Sequence, residues 1–284
     1  MSFGFRARTD RVAKKSRLGD RMFIPLHDRN ALKHIDMQYV TVTLIVINFA
    51  VWLVTGPIAS DEFANAAVLG FGYIPAVVFD YAILDPSLAV VPDEFTFVTY
   101  SFLHGDFTHL AMNMLFLWVF GDNVEDALGH FRFLLFYLLC AAAGALAHGL
   151  IDVASEAPLI GASGAVSGVV AAYFLLHPKV RVWVLVLFRI PLPLPAAIPL
   201  AFWIGQQFYM FAVDPGGSVS WSAHVGGIVA GLVLVVLLRR RGVPLFDRAI
   251  VSPRAVEHQS GPPEGTDAPL PGSQKPPTPW GRPT

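Results

Sequence analysis

The sequence predicts an all-α polytopic membrane protein: a six-transmembrane-helix bundle with its N-terminus and C-terminus both cytoplasmic. Three observations predict it. Hydrophobic residues make up 54% of the 284 positions and charged residues 14%, against about 45–50% and about 25% in soluble domains, too few charges to cover a soluble surface. Apolar runs recur through the middle of the chain, most of them near the roughly 17–25 residues that a spanning helix needs. All 20 Lys and Arg lie in, or just beyond the edge of, segments that alternate runs would leave on one side, as cytoplasmic flanks of spanning helices do.

Residues 1–38 form a basic cytoplasmic N-terminal segment with nine Lys and Arg between Arg6 and Lys33. Its aromatics are too few for a nucleic-acid surface, and no short apolar stretch with a small-residue cleavage site marks a signal peptide. Residues 39–240 form the membrane domain. Its runs are Tyr39 to Thr55, Phe107 to Phe120, Phe131 to Val153, Leu159 to Leu176, Ile190 to Val213 and Trp221 to Leu238. The second is short unless Phe95 to His104 contributes, and Pro191, Pro193, Pro195 and Pro199 obscure the start of the fifth. Residues 56–106 form a long extracytoplasmic first loop, acidic and aromatic, expected to fold on the membrane surface. Residues 241–284 form a cytoplasmic tail, so rich in proline after Ser252 that it is expected to be disordered.

The inner segments are 1–38, the turn around Gly121 to His130, the link around His177 to Arg189, and everything after Leu238; Arg132 stands just beyond an edge. The outer segments, Gly56 to Asp106, Ala154 to Pro158 and Asp214 to Ser220, contain no Lys or Arg.

Polar groups inside the spans need a partner or a cavity. Ser163 stands in Gly161-Ala162-Ser163-Gly164, at the opening of the fourth span, and His224 in Ser222-Ala223-His224-Val225-Gly226-Gly227, at the opening of the sixth. His109 and Asn113 are spaced i, i+4 on one face of the second. Taken singly, each has a plain explanation: Gly164 and Gly168 make a small-residue packing face, and a buried His or Asn bonds a neighbouring helix. Together they say more, because the second, fourth and sixth spans run the same way and all four residues fall early in them. A Ser, a His and extra donors at one depth are the parts of nucleophilic acyl transfer. In that chemistry Ser163 is expected to attack a peptide carbonyl, His224 to take its proton, and the Ser163 N–H with His109 and Asn113 to hold the oxyanion. Asp152, Glu156 and Asp214 lie outside the spans, so a dyad is expected in place of a triad. His104, His109, His148 and His224 carry no zinc signature, and no metal or cofactor is expected. Cys140, alone in an apolar run, can form no internal disulfide and has nothing nearby to activate it.

Between Val40 and Leu238 the sequence resembles the rhomboid intramembrane serine proteases of bacterial type. The resemblance rests on three motifs: His104-Gly105-Asp106-Phe107-Thr108-His109-Leu110-Ala111-Met112-Asn113, Gly161-Ala162-Ser163-Gly164, and Ala223-His224-Val225-Gly226-Gly227. It implies a six-helix core, cleavage of single-pass membrane proteins near the top of their spanning helix, and residence in the lipid bilayer; the short loops and the lack of a transit-peptide pattern lead us to expect a bacterial plasma membrane. It assigns Ser163 as nucleophile, His224 as base, and His109 and Asn113, with Gly161 and Ala162 of the nucleophile motif, to oxyanion and substrate positioning. Phe202 and Trp203 of the fifth helix become gate residues. Two departures stand out. The first loop lacks the family's Trp-Arg pair, and Ser167 stands where some members stack an aromatic on the histidine, so the loop and His224 need other supports. Glu125, in Gly121-Asp122-Asn123-Val124-Glu125, is expected to cap or pair at the inner end of the second helix. The competing readings are a catalytically silent rhomboid-like protein that binds membrane helices and a transporter, which would need related halves or a charged pathway.

Overall fold

The computed structural model describes residues 23–186, 189–214, 217 and 219–246. The Pro-rich tail and most of the basic N-terminal segment lie outside the described residues. Helix α1 is Tyr39–Thr55, α2 is Asp61–Phe71, α3 is Phe107–Leu128, α4 is His130–Gly149, α5 is Ser163–Leu176, α6 is Ala197–Val213 and α7 is Trp221–Leu238. Both α1 and α7 coincide with the apolar runs of the sequence. The outward side chains of the long helices are large and apolar, among them Val54, Leu135, Phe202 and Leu237. Such an exterior suits lipid rather than water.

The second run extends at its far end, not backwards. Residues 95–104 form separate short turns that stop where Leu103 becomes extended (φ −89°, ψ 142°), and Asp106 caps α3 by accepting the His109 N–H at 2.8 Å. The helix instead continues through Gly121 to Leu128, read from sequence as a turn, because its polar side chains find partners there. Glu125, fully buried, accepts the Val40 N–H at 3.0 Å, the Thr41 N–H at 2.8 Å and the Thr41 hydroxyl at 2.7 Å, and meets His130 Nδ1 at 2.5 Å. It thereby caps α1, whose own N-cap residue Gln38 supplies no side-chain bond. Asp126 accepts three consecutive amides, Lys33, His34 and Ile35, at 3.1, 2.6 and 2.8 Å. Gly129, at φ +85°, then turns the chain into α4 with the Arg240 guanidinium packed against it.

The helical reading is corrected at one place, a three-stranded antiparallel sheet ordered β1-β2-β3. Strand β1 is Phe23–Asp28, β2 is Arg181–Val186 and β3 is Ile190–Pro195. The first belongs to the basic segment, the second to the link after the fourth span, and the third to the proline-interrupted start of the fifth run, none of which the sequence marked as strand. The prolines of β3 at 191, 193 and 195 oppose Leu185, Trp183 and Arg181. Alternate residues of a strand point their N–H groups the same way, so all three missing donors fall on the outer edge. Asp28, at the end of β1, ties the sheet to the bundle: it accepts the Tyr173 hydroxyl of α5 at 2.7 Å and the Asn123 amide of α3 at 3.1 Å.

The core centres on α5, buried from Gly164 to Tyr173 and packed against α3, α4 and α7. The first loop is pinned to it without a Trp-Arg pair. Tyr73 and Leu159 exchange backbone hydrogen bonds at 3.1 and 2.8 Å, Thr99 Oγ1 donates to Phe71 O at 2.6 Å, and the buried Tyr73 ring packs on Phe97 and Tyr100 with centroids 4.9 and 6.4 Å apart. That pairing also explains why α5 begins at Ser163, four residues later than the apolar run suggested.

Candidate active site

Backbone contact between helices builds the site. A Cβ on Gly227 of α7 would collide with the Gly164 carbonyl of α5, and one on Gly231 with the Gly168 carbonyl. Gly144 of α4 closes the same junction: a Cβ there would lie 2.9 Å from Ala223 O and 3.3 Å from Gly164 Cα. Three helices can meet this closely only where side chains are absent. The junction falls beside Ser163 and one turn from His224, so the packing of these glycines also sets where those two residues stand.

Gly161 is required twice. Its φ is +116°, and a Cβ there would stand 2.5 Å from His109 Cε1 and 2.6 Å from Nε2. The His109 ring therefore lies on the backbone two residues before Ser163. The Gly161 N–H donates to Tyr100 O at 3.0 Å and the Ala162 N–H reaches His104 Nε2 at 3.4 Å, so these two amides hold the serine turn in place. The Ser163 N–H is in the first turn of α5, where no intrahelical acceptor exists.

His104 lies beneath this turn, with its ring 5.1 Å from that of His109 and steeply inclined to it. Burial first, and His109 beside it second, hold its pKa down to about 4, so it is a neutral imidazole near pH 7. Its Nε2 also accepts from Asn113 Nδ2 at 3.2 Å. That bond uses one amide hydrogen of Asn113 and leaves the other. Asn113 and His104 are buried, whereas His109, Ser163 and His224 are partly exposed.

His224 is supported by residues the sequence did not single out. Its Nδ1 lies 2.8 Å from Gln207 Oε1 on α6, and the Trp221 ring stands edge-on to it at 5.7 Å, in place of the aromatic missing at the buried Ser167. Ser220 caps α7, accepting the Ala223 N–H at 3.3 Å and bonding His148 Nδ1 at 2.8 Å. Phe202 is exposed on the outside of α6, while Trp203 turns inward against Phe116 of α3, rings 5.7 Å apart. Cys140 is buried under Gly168, where a Cβ would lie 2.5 Å from its sulfur.

The Rhomboid domain family matches residues 92–241. The chain is 31% identical over 176 residues to Rhomboid protein 1, mitochondrial, of Saccharomyces cerevisiae, covering 60% of this chain and 49% of that protein. It is 32% identical over 155 residues to Rhomboid-like protein 11, chloroplastic, of Arabidopsis thaliana, 52% of this chain and 54% of that one. To Rhomboid protease GluP of Bacillus subtilis it is 30% identical over 150 residues, 53% of this chain and 27% of the relative. The chain spans about half the length of the first two.

Proposed function

The chain belongs to the rhomboid family, an integral membrane protein of helical polytopic type, and from that premise we propose that it is an intramembrane serine endopeptidase working through a Ser163/His224 dyad. Its substrates are single-pass membrane proteins, cut near the extracytoplasmic end of their spanning helix, and its home is a bacterial plasma membrane. Helices α1, α3, α4, α5, α6 and α7 are the six spans. Residues 1–38 and 241–284 flank the 39–240 protease domain on the cytoplasmic side, and 56–106 lie outside.

The observation that carries the reading is the glycine junction, because it brings the opening turns of α5 and α7 together while the His109 ring rests on Gly161. Ser163, His109 and His224 are each partly exposed, beside the buried His104, Asn113 and Gln207. The 14 residues of α5 rise about 21 Å at 1.5 Å each. A hydrocarbon core is about 30 Å thick, so a serine on the first turn of this helix sits below the membrane surface and needs a hydrated cleft.

In the reaction, Ser163 Oγ attacks the scissile carbonyl and His224 Nε2 takes its proton. The oxyanion meets the Ser163 N–H, the His109 ring and the remaining amide hydrogen of Asn113, and His224 returns the proton to the leaving amine. Gly161 and Ala162 position the turn, and Phe202 and Trp203 stand at the lateral entrance. The test is cleavage of a synthetic single-pass substrate in vesicles. Wild type is expected to cut it, and Ser163→Ala and His224→Ala to leave it intact while staying folded. Cutting by either variant overturns the assignment, and an inert but folded wild type favours the silent helix-binding reading.

A further inference from the structure

We propose that Gln207 is the positioning residue of the His224 base, the neutral counterpart of the carboxylate that completes a triad; this rests on the Ser163/His224 reading above. The amide can point only one way. Gln207 Nε2 lies 3.1 Å from the Trp203 carbonyl, which can only accept, so Nε2 is the donor there and Oε1 is the atom that faces His224 at 2.8 Å. A carbonyl oxygen can only accept in its turn, so His224 Nδ1 carries the hydrogen and Nε2 keeps its lone pair. That is the tautomer a general base needs, and the bond also fixes the plane of the ring. Gln207 is 2% exposed, and no water competes for its oxygen from bulk.

The chemistry differs from that of an aspartate-bearing triad in one respect. A carboxylate stabilises the imidazolium by charge as well as by hydrogen bonding, whereas an amide supplies orientation and dipole alone. The gain is therefore smaller than the roughly 10⁴-fold lost when a triad histidine is left in the wrong tautomer. The amide is also carried on α6, a different helix from either dyad member, and its second bond is to that helix's own Trp203 carbonyl. The orientation of the base thus depends on α6 being packed against α7.

Titratable groups on the elements around His224 are His109 of α3, which acts on it electrostatically, His148 of α4, bonded to Ser220 at the start of α7, and Asp214, which closes α6. These stay the same in all position-207 variants, so a change of pH profile reports position 207 itself.

The experiment uses the full chain in detergent. It compares wild type with Gln207→Met, which keeps bulk and removes the acceptor, and Gln207→Glu, which restores an acceptor and adds charge. The readouts are the rate of fluorophosphonate labelling against pH and kcat and KM on a synthetic transmembrane substrate. Gln207→Met is expected to lower the labelling rate and kcat about 10- to 100-fold with KM within about twofold. Gln207→Glu is expected to recover most of the rate and to move the acid limb about one pH unit upward, because a carboxylate beside the ring favours the protonated form, which is no base. A Gln207→Met protein with wild-type rate and pH profile overturns the proposal, and so does a Gln207→Glu protein whose acid limb stays in place. Ser163→Ala separates the two levels. Labelling of that variant rejects the dyad itself, whereas its silence beside an unaffected Gln207→Met rejects only the role of Gln207.

Discussion

The two ends of the helix bundle are polar in opposite ways. At the serine end, Ser163, His109, Asn113, His104, Gln207 and His224 are joined by few bonds, and three of them remain reachable from outside. At the other end, Asp28, Glu125 and Asp126 are nearly or fully buried and accept from backbone amides and hydroxyls on α1, α5 and the segment that joins β1 to α1. Buried carboxyl groups are costly unless every lone pair is used. Saturated in this way they lock the entering chain to the bundle. A neutral cluster, part of it reachable from outside, is a poor lock, and in the proposed mechanism it is the part that meets the substrate. One end should therefore answer to mutation in rate and the other in stability.

The largest effect that would break this contrast is at Ser163 and His224. Replacing either by Ala is expected to abolish turnover while the unfolding midpoint in mild detergent stays within a degree or two of wild type, in the order expected of partly exposed sites. At the opposite end, Glu125→Ala strands the Thr41 hydroxyl and two backbone amides. Denaturant unfolding is expected to show a loss of about 3–5 kcal/mol, with activity per folded molecule unchanged. A Glu125→Ala protein that unfolds like wild type would mean that α1 is capped some other way.

Asn113→Ala sharpens the comparison from the serine side. In the proposed mechanism it removes one oxyanion donor among three, so kcat should fall about 10²- to 10³-fold with little change in unfolding. A stability loss that accounts for the whole rate loss would move Asn113 to the structural class, through its bond to His104.

The smallest expected effect is a pH dependence. Burial raises the Asp28 pKa from 3.8 to about 6, against the opposing pull of its bond from Tyr173. The folded value lies above the unfolded one, so the fold binds this proton more tightly. Its contribution is complete below about pH 4 and is lost as pH rises through about 6, up to about 3 kcal/mol in all. Asp28→Asn keeps an acceptor for Tyr173 and should make the stability profile less steep between those values.

What was legible in the sequence follows the same division. The apolar edges of α1 and α7 mark their ends because nothing polar blurs them, and Ser163, His109, Asn113 and His224 stand out because ionisable or nucleophilic groups in apolar runs need a reason. The sheet was not legible. Its first two strands pair residues as much as 163 positions apart, Phe23 opposite Val186, and the Arg181 to Val186 stretch looks polar at one end and apolar at the other. The far end of α3 was read as a turn because Asp122, Asn123, Glu125 and Asp126 end the apolar run, and although Glu125 was expected to cap or pair there, its partners and those of Asp126 lie 84 and more positions away. Gln207 had a signal, an amide in an apolar run, but its partner on another helix is visible only in three dimensions.

The central claim, an activated serine on the first turn of α5, is tested most directly by mapping a fluorophosphonate adduct on the detergent-purified protein by mass spectrometry. The account predicts one adduct, on Ser163, that disappears in His224→Ala although that variant remains folded. An adduct on another residue, or one on Ser163 formed equally fast without His224, would contradict it.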